Sequence, residues 1–73
     1  MSSTINLISL TVNGETRDLP EGTKLAGLIA LIGLDTRKVA VELNREIVPR
    51  STYGAVLLQP GDALEIVHFI GGG

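Results

Sequence analysis

With 73 residues and 44% hydrophobic content, the chain is sized for one domain around one small core, near the lower limit at which such a core supports itself. Eight acidic and six basic side chains are interspersed and leave a formal charge of -2, which excludes the basic footprint of a nucleic-acid or anionic-lipid binder. Absence of cysteine removes disulfides, thiolate metal sites and cysteine nucleophiles. With no stretch near the roughly 20 apolar residues of a membrane span and no basic-then-apolar leader, a soluble cytoplasmic protein is expected.

From Ile8 to Val12, apolar Ile8, Leu10 and Val12 alternate with Ser9 and Thr11, the period-two signature of a strand with one buried face. Asn13-Gly14 follows, and both residues tolerate positive φ, so a tight hairpin returns the chain through Glu15 to Leu19. Pro20-Glu21-Gly22 breaks the sheet, and Thr23 stands where a side-chain oxygen caps a helix. Leu25, Leu28, Ile29 and Ile32 share one helical face, and Gly33 stops the helix in a left-handed conformation. Val39, Val41 and Leu43 alternate again, Asn44-Arg45 makes a second tight turn, and Glu46-Ile47-Val48 pairs back until Pro49.

The stretch from Arg50 to Leu58 reads as an irregular or one-turn helical connection, with Val56 and Leu57 as its apolar anchors. Gln59-Pro60-Gly61-Asp62 is a turn into a last strand from Ala63 to Phe69, with Leu64 and Ile66 facing the helix. Only 3% of residues are aromatic, so the core is expected to consist of Leu, Ile and Val. One amphipathic helix across a mixed sheet is the smallest way to cover the sheet's apolar face at this length. The first and last strands are expected to pair in parallel at the centre. The expected class is α+β, a roll of four to five strands in a ββαββ-type mixed sheet covered by one helix, with residues 1–73 as a single domain.

The chain ends in Gly71-Gly72-Gly73 directly after an apolar strand. A glycine run contributes nothing to a core and costs backbone entropy when ordered. It does supply a slim arm, residues 70–73, that ends in a carboxylate and fits a channel too narrow for side chains. A frayed terminus or an expression remnant is the bland alternative, but flexible linkers combine Gly with Ser and no Ser occurs here.

Other candidate sites read as structural. His68 is the single histidine and shares the face of Ile66, with no carboxylate beside it by local spacing, so no metal site is expected. Arg37, Lys38 and Arg50 are too few for a phosphate cradle, and Gly22, Gly27 and Gly33 form no dinucleotide or P-loop pattern. Arg50 reads as a solvated charge, and Gly27 either permits close approach to the sheet or is simply tolerated in the helix.

Taken together, Val12-Asn13-Gly14-Glu15, Val41-Glu42-Leu43-Asn44 with Glu46-Ile47-Val48-Pro49-Arg50, and Gly61-Asp62 leading through Glu65-Ile66-Val67 to the glycines resemble the ThiS family of sulfur carriers. That family consists of ubiquitin-like β-grasp proteins of thiamine thiazole biosynthesis. Arg45 stands at a turn position that is often Gly or another polar residue in relatives, and Met1 to Leu7 extend beyond the usual start.

The resemblance implies a carrier, not an enzyme, with no bound cofactor. An E1-like, ThiF-like adenylyltransferase would use ATP to adenylate the Gly73 carboxylate, sulfur would replace AMP, and the thiocarboxylate would serve a ThiG-like thiazole synthase. Gly71, Gly72 and Ile70 would thread partner active sites. Alternation places Glu65, Val67 and Phe69 outward, a candidate partner-binding face, although Phe69 folding over as core is a nearly equal reading. The free carrier is expected to be a monomer. A MoaD-like small subunit of molybdopterin synthase, a ubiquitin-like modifier of lysines and a plain binding module are the rival readings.

Overall fold

The computed structural model describes residues 6–69, so Ile70, Gly71, Gly72 and Gly73, on which the arm was read, lie outside the described residues. Strand β1 (Leu7–Val12) turns back into β2 (Glu15–Pro20) with Ile8 opposite Leu19 and Val12 opposite Glu15. The turn is the one the dipeptide dictates, with φ of 52° at Asn13 and 83° at Gly14. Pro20 is tolerated because β2 is an edge strand, where a missing N–H costs no rung.

Helix α1 (Leu25–Leu31) buries Leu25, Leu28 and Ile29 completely. Its C-terminus is closed by Gly33 at φ 83°, whose N–H donates to the Ala30 carbonyl while that of Leu34 donates to Ile29. This pair of hydrogen bonds satisfies carbonyls that the last turn leaves orphaned. The N-terminus differs from the expectation. Lys24 is the capping residue, without a side-chain cap, and the Thr23 hydroxyl donates to the Pro20 carbonyl at 2.6 Å. Gly27 is exposed and does not meet the sheet, since a Cβ there would touch only Thr23 Cγ2 at 3.7 Å.

A 3-10 turn over Thr36–Lys38, not foreseen in the sequence, leads into β3 (Val39–Leu43). Asp35 caps that turn, accepting from the Arg37 N–H at 2.8 Å and from its guanidinium. These hydrogen bonds from Arg37 lower the Asp35 pKa to about 2. Asn44 and Arg45, at φ 51° and 71°, form the second tight turn into the short β4 (Glu46–Ile47). The connection contains a 3-10 turn over Arg50–Thr52 and ends in β5 (Ala63–His68).

The five-stranded sheet has the order β2-β1-β5-β3-β4. Strand β5 is central, parallel to β1 at Thr11 opposite Ala63 and Val12 opposite Leu64, and antiparallel to β3 from Leu43 opposite Leu64 to Val39 opposite His68. Leu64 and Ile66 lie in one core with Ile8, Leu10, Val12, Val41 and the buried face of α1. The parallel pairing and the helix-facing side of β5 are thus as read from the sequence.

Two expectations about the core need correction. Tyr53 is buried, so the core is not purely aliphatic, and its hydroxyl donates to the Val39 carbonyl at 3.2 Å. In the same connection Leu58 is the deep anchor and Val56 a partly buried one, while Leu57 is 45% exposed. The reason is local: Leu57 bridges to Lys24 and the Leu58 N–H donates to the Thr23 carbonyl, an extended pairing that turns consecutive side chains to opposite faces. Arg50, read as a solvated charge, donates from Nη2 to the same Val39 carbonyl at 3.3 Å.

Tyr53→Phe keeps the ring in the core and leaves Arg50 on Val39, so it should cost about 1 kcal/mol, whereas Tyr53→Ala should cost about 3–5 kcal/mol. Urea unfolding of both variants measures this, and equal losses would mean that the ring's packing contributes nothing beyond the hydroxyl.

Candidate functional site

Residues directly opposite one another in a sheet point to the same face, which lets the outward surface be built row by row. Glu65 lies opposite Glu42, and Glu42 lies opposite Ile47, so one row crosses β5, β3 and β4. The next row pairs Val67 with Ala40. Beyond it, the Phe69 N–H donates to the Lys38 carbonyl at 2.8 Å, holding Phe69 at the end of the sheet.

This face is apolar where a free-standing domain would ordinarily be polar. Ile47 is 80% exposed, Val67 60% and Phe69 48%. Ala40, Val41, Glu42, Ile47, Glu65 and Val67 line a shallow recess of about 150 Å³ between them. Contiguous exposed apolar side chains with a polar rim mark interaction surfaces more often than isolated ones do. Phe69 is outside the buried cluster, and Glu65 and Val67 are exposed beside it on the outward side of β5.

Ile47 was missed by sequence reading, which grouped it with a returning strand without assigning its face. A signal was present. A two-residue turn at Asn44-Arg45 fixes Leu43 opposite Glu46 and hence Glu42 opposite Ile47, so an outward Glu42 implies an outward Ile47.

The recess is flanked by carboxylates of one sign. Glu42 and Glu65 are directly opposed, an arrangement that is unfavourable in the free domain and is relieved by a cation placed between them. His68 breaks the alternation: it shares the inward face with Ile66 yet is exposed, because the buried pattern of β5 ends at Ile66. Among the described residues, no group of three or more His, Asp or Glu side chains is arranged to hold a metal ion. No helix among them is long and apolar enough to cross a membrane.

The terminal strand therefore runs through the middle of the sheet and brings Val67 and Phe69 to its exposed end, immediately before Ile70 and the glycines in sequence. Ile70, Gly71, Gly72 and Gly73 themselves lie outside the described residues.

Comparison with known proteins fits this arrangement. The ThiS family model matches residues 10–73. A thiazole synthase of Magnetococcus marinus is 50% identical over 66 residues, which is 90% of this chain and 20% of that protein, so the chain spans about a fifth of that relative's length. The sulfur carrier protein ThiS of Bacillus subtilis is 38% identical over 65 residues, 88% of this chain and 98% of that one. The crystal structure of the thiamine biosynthesis protein ThiS from Geobacter metallireducens superposes with a TM-score of 0.74 at 36% identity, covering 90% of this chain and all of that one. The family match across the terminal strand and glycines, with the shared five-strand, one-helix architecture, establishes that the chain belongs to the ThiS family and has its β-grasp fold.

Proposed function

We propose that this chain is a sulfur carrier of thiamine thiazole formation that acts in the cytoplasm by presenting its C-terminal carboxylate to partner enzymes. The observation that carries the reading is the family match to residues 10–73 together with an apolar face at the end of the central strand that leads into the glycines. Carboxylates are poor electrophiles. Attack of a Gly73 carboxylate oxygen on the α-phosphate of ATP, with loss of pyrophosphate, gives an acyl adenylate whose carbonyl carbon now bears a good leaving group. Hydrosulfide, or a donor that delivers sulfur at the same oxidation level, then attacks that carbonyl, displaces AMP and leaves a thiocarboxylate.

The activating enzyme is an E1-like adenylyltransferase of the ThiF-like kind, and ATP is a substrate of that enzyme, not a cofactor bound by the carrier. Gly71 and Gly72 let the backbone pass a narrow channel, since no Cβ widens it, and Ile70 seats the segment at the channel mouth. The consumer is a ThiG-like thiazole synthase. Support for that partner comes from Magnetococcus marinus, where a segment half identical to this chain makes up a fifth of a thiazole synthase. Match to the ThiS family favours this reading over a MoaD-like subunit or a ubiquitin-like modifier.

The carrier contributes presentation, not catalysis. The apolar recess beside Val67 and Ile47 supplies contact area, and the opposed Glu42 and Glu65 select a partner surface that carries a cation. Because these side chains are exposed, changing them separates docking from folding.

Two outcomes follow. Incubated with ATP, an E1-like enzyme and a sulfur source, the chain should gain the mass of one oxygen replaced by sulfur, located at Gly73 by fragment mass spectrometry; an unchanged mass with a competent enzyme contradicts the reading. Val67→Asp should raise the KM for the carrier in adenylation by about tenfold or more, the equivalent of about 1.4 kcal/mol of docking energy, with little change in the thermal midpoint. Unaltered KM would remove Val67 from the docking face.

A further inference from the structure

Strand β5 is held on two edges for only part of its length. On the β3 side the ladder continues to the end, closing with the Phe69 N–H on the Lys38 carbonyl. On the other side β1 stops at Val12, because the chain turns away at Asn13-Gly14. Backbone rungs from β1 therefore end where the Asn13 N–H donates to the Leu64 carbonyl at 2.8 Å.

The next rung is made by a side chain. Asn13 Oδ1 accepts from the Ile66 N–H at 2.8 Å, and Asn13 Nδ2 donates to the Ile66 carbonyl at 3.2 Å. A primary amide carries the same donor and acceptor pair as a peptide group, so Asn13 stands in for the β1 residue that the turn removed. Among the described residues, His68 has no such rung on this edge: its pairing with Val39 is the non-hydrogen-bonded kind, so its N–H and carbonyl point to the side that β1 has left. Ile66 is thus the last residue of the terminal strand whose backbone is held on the β1 side.

We infer that Asn13 is a positioning residue of the carrier: by clamping both backbone groups of Ile66 on the edge that β1 has left, it holds the end of β5 in place and so fixes the point from which the segment beyond Phe69 starts. This inference rests on the carrier reading above, in which Gly73 must reach the α-phosphate of ATP while the body stays docked through Val67 and Ile47. Slack at Ile66 lets the end of β5 shift against β3, which displaces the start of the segment that must deliver the acyl end. Displacements of about 1 Å at a reacting centre cost up to 100-fold in rate. Docking of the body is unaffected, because the Asn13 side chain bonds to backbone and takes no part in the outward rows.

Asn13→Gly is the informative variant, since a Gly-Gly turn keeps positive φ at both positions and only the clamp is lost. Asn13→Asp is its companion: aspartate tolerates the same backbone and keeps the acceptor, but puts a carboxylate oxygen against the Ile66 carbonyl. In the full chain, Asn13→Gly should quicken amide exchange at Ile66 about tenfold while core amides of α1 keep their protection. With an E1-like adenylyltransferase and ATP, kcat for pyrophosphate release should fall about tenfold with the KM for the carrier within about twofold, and Asn13→Asp should lose at least as much. A lowered thermal midpoint with unchanged kcat well below it would reduce Asn13 to a structural residue and overturn the inference, as would unchanged exchange at Ile66. A wild-type chain that is never adenylated strikes the carrier reading alone, because the exchange measurement needs no enzyme and still decides whether Asn13 holds the strand.

Discussion

The insertion of β5 between β1 and β3 is the constraint on which the other features depend. A C-terminal segment at a sheet edge frays and adds little to the core. Placed centrally, it puts Leu64 and Ile66 beneath α1, in contact with both hairpins, so the two halves of the chain close around it. The burial of its inward face fixes the register, and the register fixes which residues face out. Glu65, Val67 and Phe69 are outward because Leu64 and Ile66 are not free to move. Anchoring and presentation are thus opposite faces of one strand.

Both hairpins also leave rungs unfilled, and in each case a side chain completes them. Where β1 ends, Asn13 bonds Ile66; where β4 ends, Tyr53 and Arg50 bond the Val39 carbonyl. A second asparagine-centred network ties the second turn to the start of β5, since Asn44 Oδ1 accepts from the Ala63 N–H and its Nδ2 donates to Asp62, whose other oxygen accepts from the Gln59 N–H. Both turn asparagines therefore do two jobs, adopting positive φ and gripping the terminal strand. Substituting glycine at either one preserves only the first.

Much of this was legible from residue order. Asn13-Gly14 and Gly33 announce their conformations because few residues occupy positive φ cheaply, and strict alternation from Ile8 to Val12 leaves one choice of buried face. The parts that were not legible depend on partners distant in sequence. Thr23 is a good capping residue by type, yet the Pro20 carbonyl takes its hydroxyl. Leu57 and Leu58 are indistinguishable by hydropathy, and only the pairing with Lys24 and Thr23 decides which one is buried. Tyr53 is committed to the core by the Val39 carbonyl, an acceptor 14 residues away. On the outward face, Val67 and Phe69 could be read from strand alternation, whereas Ile47 required the turn register as well.

In this account the folded body and the glycine segment have separate duties: the core among the described residues runs from Ile8 to Ile66, and the proposed chemistry belongs to the last residues. Deleting Gly71, Gly72 and Gly73 tests that division most directly, with thermal unfolding and thiocarboxylate formation measured on the same sample. The account predicts an unchanged unfolding midpoint and no incorporation of sulfur. Sulfur incorporation equal to that of the full chain, or a midpoint lowered as far as by a core truncation, would contradict it.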